Sequence, residues 1–184
     1  MEVASSVAVG STFSFEIPLE PAMGNGNPGN RGHDTALQTK NPVEQHGPPL
    51  DGLRALVVDD CEINREVVRR ILETHGAIVT CCPDGAAAVE HVRAHHQHLD
   101  VVLIDVHMPI LDGNEATRRI RSELGIKTLP IIGLTGSALL SEQQRSFDAG
   151  MNDVISKPFD PGTFLGKVRL LVDQSPACHR GFLD

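Results

Sequence analysis

Four short apolar runs in this chain each end on a polar residue. Leu56-Val57-Val58 leads into Asp59-Asp60, and Val101-Val102-Leu103-Ile104 leads into Asp105. Ile131-Ile132-Gly133-Leu134 leads into Thr135, and Val154-Ile155-Ser156 leads into Lys157-Pro158. Runs of this length, separated by helix-length stretches, predict buried parallel strands. Strands are expected at 54–58, 77–81, 101–105, 131–135 and 153–156.

The intervening stretches carry helix signals. Ile63, Val67, Val68, Ile71 and Leu72 recur at helical spacing, and Gly76 stops that helix. Asp84 is placed to cap a second helix through Val89 and Val92. Ser141 and Gln144 have the spacing of a capping box, with Phe147 expected on the inner face. Asp160-Pro161 pairs an N-cap with proline at the first helical position and opens a helix through Leu165, Val168 and Leu171.

Five strand–helix units predict an α/β fold: a doubly wound five-stranded parallel sheet with five helices in a three-layer sandwich. The order 2-1-3-4-5 is expected, because it puts the first and third strands side by side at the switch point, where ligands bind in such sheets. Asp59, Asp60 and Asp105 then become neighbours. Residues 21–52 are rich in Gly, Pro and Asn without apolar period, and read as a flexible linker. Before them, the stretch from Ser11 to Leu19 alternates with period two as a strand, which alone cannot bury its apolar face. Residues 53–174 form the predicted domain, and 175–184 read as a disordered tail.

Bulk properties narrow the function. A chain of 184 residues holds one ordinary core, and with 3% aromatics that core is aliphatic. The net charge of −8 argues against a nucleic-acid surface. No stretch has the length of a membrane span, and the N-terminus lacks the pattern of a secretory signal. Cys61, Cys81, Cys82 and Cys178 show no CxxC spacing, so Cys81 and Cys82 read as small apolar fillers and the cytoplasm is the expected compartment.

The strand ends gather three carboxylates, a hydroxyl and an ammonium on one rim. Carboxylates so crowded repel one another, and a hard divalent cation relieves them. Phosphoryl transfer asks mainly for positioning and charge neutralisation. An Asp carboxylate serves as nucleophile in forming an acyl phosphate, with Lys157 and Thr135 available to the phosphoryl oxygens.

Val57-Val58-Asp59-Asp60, Asn64-Arg65, Asp105-Val106-His107-Met108-Pro109, Leu111-Asp112-Gly113, Thr135-Gly136-Ser137 and Lys157-Pro158-Phe159 resemble the receiver domain of two-component response regulators, closest to receivers fused to hybrid histidine kinases. Residues 1–20, with Gly10-Ser11-Thr12-Phe13-Ser14-Phe15, resemble the terminal strand of a histidine kinase ATP-binding domain, whose nucleotide-binding motifs are missing here. The resemblance implies Asp105 as phosphoacceptor, with Thr135 and Lys157 contacting the phosphoryl group. It implies Mg²⁺, with Mn²⁺ as a substitute, held by Asp59, Asp60, Asp105 and the backbone carbonyl of His107. It implies a cis Lys157-Pro158 bond. The partner implied is a histidine kinase or histidine phosphotransfer protein, docked near the first helix around Asn64 and Val67. The face of the fourth helix, fifth strand and fifth helix is implied as a surface for output and for a second copy. Neither nucleic acid nor membrane is an expected partner, except through an upstream membrane-bound kinase. The expected reactions are self-phosphorylation and autodephosphorylation.

Four positions are set against the family pattern. Val154, three residues before Lys157, stands where Tyr or Phe is common. His107 and Ser137 occupy positions that tune acyl phosphate lifetime. Asn114 follows Gly113 where an apolar residue is usual. Two other classes compete with the receiver. An aspartate-nucleophile phosphatase uses similar groups but needs a second Asp where His107 stands. A degenerate receiver would serve only as an interaction domain. His95, His96 and His98 read as an exposed turn at a helix end, and Arg118, Arg119 and Arg121 as a solvated face.

Overall fold

The computed structural model describes residues 2–6, 10–14, 50–137 and 139–175. The chain divides into two units, Met1–Lys40 and Asn41–Asp184. In the first, β1 (Glu2–Ser6) and β2 (Gly10–Ser14) pair antiparallel, Glu2 opposite Ser14. β2 falls on the expected strand, whose remainder, residues 15–19, lies outside the described residues, as do 21–49 of the expected linker and 176–184 of the expected tail. The partner strand β1 was not foreseen.

The second unit runs β3 (Arg54–Val58), α1 (Glu62–Thr74), β4 (Ile78–Cys82), α2 (Gly85–His95), β5 (Val101–Asp105), α3 (Gly113–Ser122), β6 (Ile131–Thr135), α4 (Leu140–Asp148), β7 (Asp153–Ser156) and α5 (Pro161–Asp173). The strands are parallel in the order β4-β3-β5-β6-β7, which is the expected 2-1-3-4-5. Every residue of β5 and β6 is buried, which is why these strands read as continuous apolar runs.

Strand alternation divides the core in two. Leu56, Val58, Val102, Ile104 and Ile131 pack with Val89 and Val92 of α2 and Ile120 of α3. Val57, Leu103, Ile132, Leu134 and Ile155 pack on the other face with Val68 and Leu72 of α1 and Phe164, Leu165 and Val168 of α5. The packed chain begins before the expected boundary: Leu50 is fully buried, and its N–H donates to the His75 carbonyl at 2.7 Å. At the other end Ser175 is buried and its hydroxyl donates to the Thr128 carbonyl at 3.1 Å.

Two helix caps form as the sequence predicts. Asp84 accepts from the Ala87 N–H at 2.7 Å, and Asp160 accepts from the Thr163 N–H at 2.8 Å. The expected capping box at Ser141 does not form. Leu139 is the N-cap of α4, without a side-chain bond, and Ser141 lies inside the first turn. Phe147 is 43% exposed, because Ser146 is the α4 residue that turns inward. Arg121 is not on a solvated face either. Its guanidinium donates to the carbonyls of Gly150 and Ile126 and to Asn152 Oδ1 at 2.8–3.0 Å, joining the end of α3 to the loop before β7.

Candidate phosphoryl and metal site

The carboxyl ends of β3, β5, β6 and β7 form one rim of the sheet, and the functional groups follow from it. Asp59 and Asp60 come directly after β3, Asp105 and Thr135 are the last residues of β5 and β6, and Lys157 follows β7. Parallel pairing sets Asp105 against Leu134 and Thr135 against Ser156, so all these ends stand level. The sequence-predicted groups are therefore brought together.

The Lys157 ammonium bridges two acids, donating to Asp59 Oδ2 at 2.7 Å and Asp105 Oδ2 at 3.0 Å. Asp59 is almost wholly buried and further held by the Cys61 N–H at 2.9 Å and the Asn64 amide at 3.1–3.2 Å. The Arg65 guanidinium donates to the Asp59 carbonyl, pinning the start of α1 to the rim. Asp105 Oδ1 accepts from the His107 N–H at 3.2 Å. Thr135 is buried, and its hydroxyl oxygen accepts from the Ser137 N–H at 3.1 Å. The Lys157-Pro158 peptide is cis, as the resemblance implied.

The electrostatics reflect this crowding. Burial pushes the Asp105 carboxyl above its ordinary value, and the nearby Asp59 charge adds to the push, while Lys157 and the His107 N–H draw it partly back. Burial works against the Lys157 charge, but its bonds to Asp59 and Asp105 outweigh that and leave its pKa above the ordinary lysine value. One ammonium thus neutralises part of a three-carboxylate cluster.

Oxygens of Asp59, Asp60 and Asp105 all lie within 4.8 Å of one another, with Asp60 on the exposed side. An all-oxygen, multiply anionic set with one solvent-facing member fits a hard divalent cation that keeps several waters. Close packing enforces the geometry. A Cβ at Gly113 would meet the Asp105 carbonyl oxygen at 2.2 Å, and one at Gly136 would meet nothing within 4 Å. The β5–α3 loop also places Ile110 at φ +70° with its side chain 90% exposed, an uncommon backbone for a β-branched residue.

Two contributors escaped the sequence reading. The direct anchoring of Asp59 by Asn64 and Arg65 had only the motif as a signal. Glu142, in the first turn of α4, stands with Oε2 3.6 Å from His107 Nε2 and had no signal at all. The other sequence features fall elsewhere. Cys82 is buried and Cys81 partly so, and burial pushes the Cys82 thiol up to about 11. His95 and His98 are exposed at the end of α2 and the turn after it. Among the described residues no helix is long and apolar enough to cross a membrane.

Known proteins share this arrangement. Residues 55–169 match the response regulator receiver domain family. The sensor histidine kinase RcsC of Escherichia coli is 43% identical over 108 residues, which are 59% of this chain and 11% of that kinase. The two-component response regulator ORR41 of Oryza sativa subsp. japonica is 40% identical over 123 residues, covering 64% of this chain and 95% of the regulator. The receiver domain of the sensor histidine kinase PA1611 from Pseudomonas aeruginosa, solved with a magnesium ion in its active site cleft, superposes with a TM-score of 0.61 at 34% identity. It covers 66% of this chain and 98% of that domain. The chain spans only a small part of the length of the histidine kinases it matches. Fold, rim and similarity agree, and the chain belongs to the response regulator receiver domain family of two-component systems.

Proposed function

We propose that Asp105 accepts a phosphoryl group from a phosphohistidine and so switches a signalling surface. The observation that carries this reading is the Lys157 ammonium between Asp59 and Asp105, beside Asp60 and the Thr135 hydroxyl on one rim. In the transfer, an Asp105 carboxylate oxygen bonds to phosphorus as the P–N bond breaks, and the imidazole nitrogen keeps the electron pair. Lys157 neutralises a phosphoryl oxygen as a point charge, and the Thr135 hydroxyl donates to another. Asp59, Asp60, Asp105 and the His107 carbonyl are the residues that would hold Mg²⁺, or Mn²⁺ in its place. When bound, the ion supplies positive charge against the crowded carboxylates and the phosphoryl oxygens.

The partner follows from the surface beside the site. A groove of about 500 Å³ next to Lys157 is lined by Asn64, Val67, Val68, Ile71, Phe159 and Pro161. Its apolar walls at the edge of a polar site suit a helix of a histidine kinase or histidine phosphotransfer protein that presents its phosphohistidine toward Asp105. In this reading residues 1–20 derive from a kinase ATP-binding domain, residues 21–52 are a linker, and the receiver acts in the cytoplasm.

Incubation with acetyl phosphate and Mg²⁺ tests the assignment. One acid-stable, base-labile phosphoryl group per chain is expected, and Asp105→Asn should abolish it. Label that persists in the variant would refute it.

A further inference from the structure

Four of the chain's nine histidines, His91, His95, His96 and His98, fall in the short stretch 91–98. Two of them belong together. His91 and His95 lie four residues apart on α2, a spacing that sets side chains side by side on one helix face. Their rings stack with 4.5 Å between centroids and 26° between planes. His95 is also oriented as a ligand would be. Its Nδ1 lies 3.1 Å from the His91 carbonyl oxygen. A carbonyl only accepts, so Nδ1 carries the hydrogen and Nε2 keeps its lone pair. A ring N–H given to a backbone carbonyl is the outer bond that orients metal-ligating imidazoles. His75 makes the same bond, to the Ile71 carbonyl at 2.8 Å, but its Nε2 is shut off from solvent, whereas His95 is exposed.

The pair stands apart from the acid rim. α2 starts just after the carboxyl end of β4 and runs back toward the start of β5, which is parallel to β4 through β3. Its last turn therefore lies at the end of the sheet opposite Asp59, Asp60 and Asp105. The donors differ as well: carboxylate oxygens suit a hard ion, and imidazole nitrogens suit a borderline one. The unpaired carbonyls of a helix's last turn favour a cation. Arg93 is a competing charge in that turn, and it pairs with Glu90 at 3.4 Å.

We propose that His91 and His95 chelate a borderline transition-metal ion, Zn²⁺ or Cu²⁺, with water completing its shell. Two Zn–N bonds of about 2.0–2.1 Å at a tetrahedral angle set the nitrogens about 3.3 Å apart. Rings stacked at 4.5 Å reach that separation by side-chain rotation, for which the exposed end of α2 leaves room. The ion bridges one helical turn and staples the end of α2 ahead of the turn His96–His98. The acids of the rim take no part, so the site does not depend on Asp105 as phosphoacceptor.

The test is titration of the full chain with Zn²⁺, Mg²⁺ being kept in large excess so that the rim is filled. The imidazole signals of His91 and His95 should move first and together, and the melting temperature should rise as Zn²⁺ is added. His91→Ala and His95→Ala should each weaken that binding roughly tenfold or more, and both should fold, since alanine is the strongest helix former. With Cu²⁺, electron spin resonance should show two bound nitrogens in the wild type and one in either variant. Signals moving first at any other histidine would overturn the proposal, as would Zn²⁺ affinity unchanged in both variants, the mark of an adventitious ion only. Labelling of His91→Ala by acetyl phosphate should match the wild type, and its loss would overturn the independence of the two sites.

Discussion

Asp105 and Lys157 both titrate above their ordinary values, and the sign of each shift fixes what it does to stability. A group whose pKa rises on folding lends stability below its unfolded value and loses it as pH climbs through the folded one. For Lys157 that loss falls above the ordinary lysine range, so the bridge is intact at neutral pH. For Asp105 it begins at the ordinary carboxylate value and continues upward, so by neutral pH the ionised acceptor costs the fold stability. Function and stability are opposed at this side chain. Asp105→Asn should therefore melt higher than the wild type at pH 7, by about 0.5–2 kcal/mol, while losing its phosphoryl label. A variant that melts lower at pH 7 would show that the Lys157 bond, not the buried charge, dominates.

The elements that hold the site differ in how plainly the sequence announces them. β3, β5 and β6 are covered on both faces, so their apolar runs are uninterrupted and the polar residues at or just after their ends stand out. Asp84 and Asp160 cap their helices because an aspartate before the first turn has one local partner to find. α4 was misread for the opposite reason. With Ser146 its one buried residue, neither its start nor the direction of Phe147 is dictated by a core, and the Ser141 spacing matched a cap that does not exist. Leu50 was hidden by the Pro- and Gly-rich residues around it. Glu142 and the partly buried Arg121 act across loops distant in sequence, where no spacing rule applies. The start of α3 packs directly against the backbone of the acceptor. Gly113→Ala should cost about 1–3 kcal/mol by overpacking and slow labelling, since the new methyl meets the Asp105 carbonyl oxygen. Gly166→Ala in α5, where a Cβ meets nothing within 4 Å, should leave stability unchanged or raise it. Equal melting of the two variants would contradict the packing argument.

Across the whole molecule, one sheet carries two opposed aliphatic cores and brings its negative charge to a focus at one rim. The antiparallel β1–β2 pair is a separate matter, since two strands alone are marginal in water. The charged rim predicts a linkage between ion binding and folding. Mg²⁺ at a hundredfold excess over its dissociation constant should stabilise the receiver by about 2.7 kcal/mol, and EDTA should remove the gain. An unchanged melting temperature across a magnesium titration would mean the three acids do not hold the ion. The central claim, that Asp105 carries the phosphoryl group, is met most directly by trapping. Borohydride reduces an aspartyl phosphate to homoserine, so phosphorylated protein treated with it and mapped by mass spectrometry should carry homoserine at position 105. Homoserine at position 59 or 60, or none at any position, would contradict it.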